Sequence, residues 1–203
     1  MSATTDRADV AALQAEFGAA IQNVKEFCGD TFVSVSTDSI VKVLAFLKDH
    51  AELQFDYFSE CVGVDYSTWK HERDWPSGAA KRFEVVYNLM SSKSYQRLFI
   101  KVTVDDGERV PTCMHVYSGA EYPEREIQDL FGVIFEGNGP TAGQRFLLPD
   151  DWVGYPLRKE YPLGGEDVLF AQDTRGPAVE DISMPHAGES FEGKTGSSNT
   201  SGR

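Results

Sequence analysis

Residues 121–163 read EYPEREIQDLFGVIFEGNGPTAGQRFLLPDDWVGYPLRKEYPL and carry the strongest structural signals in the chain. The first part of this stretch predicts a helix. Pro123 suits a first helical turn, where its missing N–H would have no partner in any case, and Gly132 stands where a helix would end. Arg125 and Asp129 are four residues apart, a spacing that predicts an ion pair on one helix face.

The end of the same stretch predicts extended backbone. Pro156 and Pro162 enclose a short charged and aromatic segment, and a proline biases both itself and the residue before it towards extended conformations. An extended segment leaves its backbone polar groups without internal partners, and segments of this kind often wrap a neighbouring protein. We therefore expect residues 136–163 to form an extended segment that contacts a partner subunit.

The chain before this stretch predicts helices followed by several strands. Apolar residues at three- and four-residue steps from Val10 to Val24 make one helical stripe. The predicted elements are a helix over 6–27, a strand over 31–35, a helix over 37–48 and a hairpin of 83–89 with 98–104. This order favours an α+β fold. We expect a two-layer domain with N-terminal helices packed on a mixed, largely antiparallel sheet, plus an extended C-terminal arm.

Composition divides the chain into three parts. Residues 1–135 are expected to form the α+β domain, 136–163 the extended segment, and 164–203 an acidic, Gly/Ser-rich C-terminal tail. The tail has few large apolar residues and cannot bury enough surface to offset the entropy lost on ordering. We expect it to be disordered in the isolated chain.

Charge and cysteine spacing exclude several classes of function. The 203 residues carry a formal net charge of −13, which opposes binding to nucleic acid or anionic lipid. No apolar run approaches the roughly 18–20 residues of a membrane span, and the N-terminus lacks the apolar core of a secretory signal, which predicts a cytoplasmic chain. Cys28, Cys61 and Cys113 form no cluster, and the sequence has no glycine-rich phosphate loop. We therefore expect this chain to bind no metal, flavin or iron–sulfur cluster.

The 121–163 stretch closely resembles the signature of the complex I 30 kDa subunit family, whose members form the C subunit of NADH:quinone oxidoreductase. That signature runs E-R-E-x-x-D-x-x-G-x-x-F-x-G and then L-L-P-x-D-W-x-G-x-P-L-R-K-D-Y-P. The first part is matched by Glu124, Arg125, Glu126, Asp129, Gly132, Phe135 and Gly137. The second part is matched by Leu147, Leu148, Pro149, Asp151, Trp152, Gly154, Pro156, Leu157, Arg158, Lys159, Tyr161 and Pro162. Weaker resemblance extends upstream to about Leu44.

Two features depart from the family pattern. Tyr122 stands where the family usually has tryptophan, and Glu160 replaces the usual aspartate. Residues 138–146 are longer and richer in glycine than the corresponding family segment, of which Arg145 alone is retained. We expect the contacts of this segment to differ from those of typical members.

The resemblance implies one component of a complex rather than a self-sufficient enzyme. Family members lie in the peripheral arm of a complex I-like NADH:quinone oxidoreductase, a translocase, and scaffold the 49 kDa-type protein (the D subunit) beside the quinone-reaction module. The chain is expected to be non-catalytic alone and to bind no cofactor, with NADH, flavin, iron–sulfur clusters and quinone held in partner subunits. Its expected location is the cytoplasmic side of the bacterial cell membrane, reached only through the complex. The signature residues would be interface and framework positions, with the charges of Arg158 and Lys159 facing a partner.

Two other functions are alternatives to this one. Equivalent subunits of ferredoxin- or F420-dependent dehydrogenases and of energy-converting hydrogenases share the signature, and the neighbouring subunits would distinguish them. A free hydrolase with paired carboxylates is disfavoured. Glu124 with Glu126, or Asp150 with Asp151, project in different directions and cannot flank one substrate bond.

Overall fold

A computed structural model describes residues 7–69, 81–138 and 144–161. One compact unit spans Met1–Tyr161. The tail over 164–203, predicted to be disordered, lies outside the described residues, as does Pro162.

Helices and strands alternate irregularly along the chain. The helices are α1 (Ala8–Phe17), α2 (Ile40–Asp49) and α3 (Glu121–Phe131), and single 3₁₀ turns at Thr37–Ser39 and Ser118–Ala120 precede α2 and α3. The strands are β1 (Ile21–Phe27), β2 (Asp30–Val35), β3 (Tyr57–Asp65), β4 (Phe83–Met90), β5 (Arg97–Val104), β6 (Arg109–Pro111) and β7 (Ile134–Glu136).

Five strands form one mixed sheet in the order β1-β2-β5-β4-β3. The predicted hairpin is confirmed, since β4 and β5 pair antiparallel from Phe83 with Val104 to Met90 with Arg97. Within this sheet β2 and β5 pair in parallel, and β6 and β7 form a separate two-stranded parallel sheet. The α+β fold with a largely antiparallel mixed sheet is therefore confirmed.

The apolar faces of the helices share one core with the sheet. α2 contributes four fully buried side chains, which are Ile40, Val43, Leu44 and Leu47. Each buried aliphatic side chain of this size stabilises the fold by about 1.5–3 kcal/mol. α3 approaches β3 so closely at Gly63 that an added Cβ would lie 3.0 Å from the Phe131 ring and 3.1 Å from Ile127 Cγ2. This close approach fixes α3 against the edge strand of the sheet.

The helix predicted over 6–27 is wrong in its second half. α1 ends at Phe17, and Ile21–Phe27 is instead β1, which pairs antiparallel with β2 so that Val24 lies opposite Val33. The helical spacing of Ile21 and Val24 was misleading because β-branched residues fit a strand equally well. Pairing with β2 satisfies the backbone of this segment, which a short isolated helix would satisfy only weakly.

The extended backbone predicted between Pro156 and Pro162 is also wrong for the part that the structure describes. The N–H of Arg158 donates to the carbonyl of Tyr155 (3.1 Å), and the N–H of Tyr161 donates to the carbonyl of Arg158 (3.0 Å), so the backbone forms successive turns. The N–H of Leu157 donates to the carbonyl of Leu130 in α3 (3.1 Å). The segment therefore folds back on its own domain.

Candidate functional site

Glu124 is a fully buried carboxylate in the first turn of α3. It accepts hydrogen bonds from Thr112 Oγ1 (2.5 Å), the backbone N–H of Cys113 (2.9 Å), Cys113 Sγ (3.0 Å) and Asn138 Nδ2 (2.8 Å). Thr112 and Cys113 follow β6, and Asn138 follows β7, so one side chain ties the small sheet to α3. Burial, reinforced by the charge of Glu124, raises the pKa of the Cys61 and Cys113 thiols above their usual range.

Asp129 binds the segment that follows the small sheet. One carboxylate oxygen accepts the consecutive backbone N–H groups of Phe146 (3.2 Å), Leu147 (2.7 Å) and Leu148 (2.9 Å). The other oxygen accepts a hydrogen bond from Arg145 Nη1 at 3.2 Å. Burial opposes the charge, but these donors outweigh it and hold the pKa of Asp129 below its usual range.

The predicted pair of Arg125 with Asp129 is therefore wrong. Arg125 lies 3.7 Å from Glu121, the carboxylate one turn earlier, and Asp129 pairs with Arg145 instead. The physical reason is burial. Asp129 is almost fully buried, where several converging N–H groups stabilise a carboxylate better than one half-exposed arginine on the same helix does.

Arg158 is held within the chain by three kinds of contact. Its guanidinium makes a bidentate pair with Asp106 (2.8 and 2.9 Å), its Nε donates to the carbonyl of Phe131 (2.7 Å), and it stacks 4.5 Å from the Tyr155 ring. Gly132 leaves room for this packing. An added Cβ there would lie 2.7 Å from both Arg158 Nη2 and the Tyr155 ring, and the backbone φ is +77°. Asp106 of this chain thus supplies a carboxylate to Arg158.

Asp65, at the end of β3, connects the same segment to the sheet. It accepts hydrogen bonds from Arg82 Nη2 (3.1 Å) and from the backbone N–H of Lys159 (3.0 Å). Arg82 also pairs with Glu160. Burial alone would raise the pKa of Asp65, but the Arg82 guanidinium and the neighbouring N–H groups outweigh it and hold the pKa at about 2.

The charged side chains described above are paired within the chain, but several apolar side chains of the signature region face solvent. The exposed fractions are 58% for Tyr122, 56% for Leu147, 85% for Val153 and 49% for Leu157. The Tyr122 ring stacks on the ring of Phe146 at a centroid distance of 5.6 Å. We call these five residues the signature apolar residues. A single exposed apolar side chain is ordinary, but several within one short region are typical of an interaction surface.

The predicted site residues divide into two groups. Those that face inward or lie half-buried are Glu124, Arg125, Asp129, Gly132, Trp152, Pro156, Arg158 and Tyr161. Those that face outward are Glu126, Pro149, Asp151, Leu157 and Lys159. The inward group joins α3 to residues 144–161, and the outward group remains available to another protein. Their role at a subunit interface stays a prediction.

The framework also uses residues that the sequence did not single out. Asp65, Arg82, Asp106 and Thr112 each supply a partner to the signature region. All lie outside the stretch 121–163, and no spacing within that stretch could have indicated them. The sequence identified Arg145 as the one family residue retained in the segment 138–146, but it did not indicate that Asp129 is its partner.

The search for metal-ligating clusters and membrane-spanning helices covers the described residues. Within 7–69, 81–138 and 144–161, no group of three His, Cys, Asp or Glu side chains could hold a metal ion. The same part of the chain has no helix that is long and apolar enough to cross a membrane. The carboxylates of Glu124, Asp129 and Asp65 accept the framework hydrogen bonds described above.

Comparison with known proteins gives one consistent family. Residues 33–167 match the family described as the 30 kDa subunit of respiratory-chain NADH dehydrogenase. The NADH-quinone oxidoreductase C subunit of Roseiflexus sp. (strain RS-1) is 42% identical over 159 residues, which cover 78% of this chain and 84% of the relative. The corresponding C subunit of Geobacter metallireducens is 42% identical over 164 residues, covering 80% and 93%.

Two solved structures share the fold. The trypsin-resistant fragment (1–134) of Nqo5 superposes with a TM-score of 0.54 at 26% identity, covering 66% of this chain and 98% of the fragment. A chain of the membrane-bound sulfane sulfur reductase, an archaeal respiratory membrane complex, gives a TM-score of 0.55 at 24% identity, covering 76% and 84%. Together with the signature geometry, these matches show that the chain belongs to the family of complex I 30 kDa subunits, the C subunits of NADH-quinone oxidoreductase.

Proposed function

We propose that this chain is a non-catalytic scaffold of the peripheral arm, which packs against the 49 kDa-type subunit beside the quinone-reaction module. Membership of the family makes it a component of NADH-quinone oxidoreductase and a partner of other complex I subunits. In this proposal it binds no cofactor itself, and NADH, flavin, iron–sulfur clusters and quinone belong to the other subunits. The complex would hold it at the cytoplasmic side of the membrane.

One observation supports a scaffolding role above the others. The buried or half-buried charges of the signature, in Glu124, Asp129 and Arg158, are matched inside the chain, whereas the signature apolar residues are exposed. Matched internal charges give a rigid framework, and exposed apolar residues on that framework gain most from burial against another protein. The interface is therefore expected to depend on apolar contacts more than on ion pairs.

A substitution on the exposed surface tests this proposal. Leu157→Asp places a charge among the signature apolar residues and removes no side-chain hydrogen bond. We expect the yield of intact complex to fall by about tenfold, because a charge buried in an interface without a partner costs at least the roughly 1.4 kcal/mol that a tenfold change requires. The measurement is recovery of the complex through an affinity tag on this chain, together with quinone-linked NADH oxidation.

The matched control is Phe27→Asp. Phe27 is 59% exposed at the opposite edge of the sheet, outside the signature. Both variants should leave the melting temperature of the isolated chain nearly unchanged. Equal complex yields from the Leu157 variant and the wild type would contradict the scaffolding proposal.

The alternative is an equivalent subunit of a related complex. The similarity to the sulfane sulfur reductase chain, at 24% identity, concerns the fold alone. The proteins that co-purify with the tagged chain distinguish the two proposals, since NADH-oxidising subunits accompany it only in the first.

A further inference from the structure

We propose that the free edge of β3 and the groove beside it form a docking site for an extended segment of a neighbouring subunit, a segment that carries an aliphatic side chain and a lysine or arginine. The inference rests on the proposed function in one respect, that the segment belongs to a subunit of the same complex. It adds a second mode of contact, through backbone hydrogen bonds, to the exposed signature apolar residues.

The first observation is the edge itself. β3 ends the five-stranded sheet and pairs with β4 on one side only in the described part of the chain. A register irregularity lies between Phe58 and Glu60, and beyond it the strand continues regularly through Asp65. Residues 61–64 contain neither proline nor charge, the devices that usually protect an edge strand from pairing. Within the described residues, no strand pairs with the outer edge of residues 61–64, which can therefore accept an added strand.

The second observation is an apolar groove beside this edge. A cavity of about 230 Å³ lies between β3 and α3, with Val62 and Gly63 on the strand side and Ile127, Leu130 and Leu157 opposite. Gly63 lets α3 approach the strand closely on the inner side of the groove, since an added Cβ there would lie 3.0 Å from the Phe131 ring and 3.1 Å from Ile127 Cγ2. A groove of this size accepts one aliphatic side chain from a strand laid along the edge, in the manner of β-strand addition.

The third observation is the sign of the charge at the rim. Glu60 and Glu126 both line the groove, and both side chains are exposed. Among the residues that the structure describes, no lysine or arginine lines it. Two carboxylates at the mouth favour a segment with a basic residue next to its aliphatic anchor and disfavour an acidic one.

The groove also adjoins the signature apolar residues, which are proposed to contact another subunit. Leu157 lines it and is one of the signature apolar residues. At the other end of the strand, Asp65 is occupied by Arg82 and by the N–H of Lys159. Lys159 thus contacts the end of β3, and in the part of the chain that the structure describes no strand pairs with the outer edge of residues 60–63.

Hydrogen–deuterium exchange tests the proposal on the full-length chain and on the complex purified through a tag on that chain. The edge amides of residues 60–63 should exchange about tenfold more slowly in the complex, as expected when an exposed N–H gains one hydrogen bond. β1 is the internal control because it is the other edge of the same sheet. Equal slowing at β1 and β3 would indicate general stabilisation and would overturn the inference.

A pair of charge reversals makes the test specific. Glu60→Lys should return exchange at 60–63 most of the way to the free-chain rate, because it repels the basic residue of the docked segment. Glu26→Lys, at an equally exposed acid on β1, should leave exchange at β3 as in the wild-type complex. An intact wild-type complex in which residues 60–63 exchange as fast as in the free chain refutes this inference alone. Failure of any complex I subunit to co-purify with the wild-type chain refutes the proposed function as well.

Discussion

Gly132 gives the sharpest test of how the signature region is built, because two of its properties can be separated. Its φ of +77° lies in the left-handed region, and an added Cβ would lie 2.7 Å from Arg158 Nη2 and from the Tyr155 ring. Gly107 has a φ of +83° but no atom within 4 Å of the same added Cβ. Replacing each glycine by alanine therefore imposes the same backbone strain, but only at Gly132 does it also displace packed side chains.

The expected magnitudes follow from these contacts. The backbone term is about 1 kcal/mol for either substitution. Gly132→Ala must also move the Arg158 guanidinium, which weakens its hydrogen bond to the carbonyl of Phe131 and its half-exposed pair with Asp106. These losses add about 2 kcal/mol. At roughly 3 °C per kcal/mol for a chain of this size, the melting temperature should fall by about 3 °C for Gly107→Ala and about 9 °C for Gly132→Ala.

Thermal unfolding of the purified chain, followed by circular dichroism, measures the melting temperatures of both variants. The fluorescence of Trp152, recorded with Trp69 and Trp75 replaced by phenylalanine, should change earlier than the circular dichroism in Gly132→Ala if the segment loosens locally. Equal destabilisation by the two substitutions would refute the claim that close packing of Arg158 and Tyr155 makes this glycine necessary.

Three further predictions follow from the same contacts. Arg158→Lys should destabilise the chain by about 1–2 kcal/mol in urea titrations, since lysine keeps the charge but loses the bidentate geometry. Acidification should lower the free energy of unfolding by about 2 kcal/mol through Asp65, whose folded pKa is about 2 and whose unfolded pKa is near 4. The ionised carboxylate stabilises the fold fully above about pH 4, and this stabilisation is lost progressively as the pH falls towards 2. Asp65→Asn should abolish this part of the pH dependence. Iodoacetamide should modify the exposed Cys28 in the native chain and reach the buried Cys61 and Cys113 only on unfolding, as mass spectrometry of the labelled protein would show.

Local signals in the sequence were sufficient for several elements. The spacing of Ile40, Val43, Leu44 and Leu47 predicted α2 and its buried face, and Gly132 marked the end of α3. Each of these depends on residues within one or two helical turns. Such signals can be read without knowing the rest of the fold.

Features that depend on distant residues could not be predicted in the same way. Val24 lies in a strand because Val33 lies opposite it, and Asp129 does not pair with Arg125 because Arg145 and three N–H groups reach it from another segment. The turns at 155–161 likewise depend on the carbonyl of Leu130. Periodicity and spacing report neighbours along the chain, whereas these contacts are decided by packing between elements.

The way Asp129 binds the chain has a consequence for sequence variation. Its carboxylate contacts the backbone N–H groups of residues 146, 147 and 148, not their side chains. Every amino acid except proline supplies such a group. These hydrogen bonds therefore exclude only proline at residues 146, 147 and 148 and are compatible with the other nineteen amino acids. The side chains at these positions can change to fit a different neighbouring protein while the backbone conformation is retained. Pro149 stands at the first position where the restriction ends.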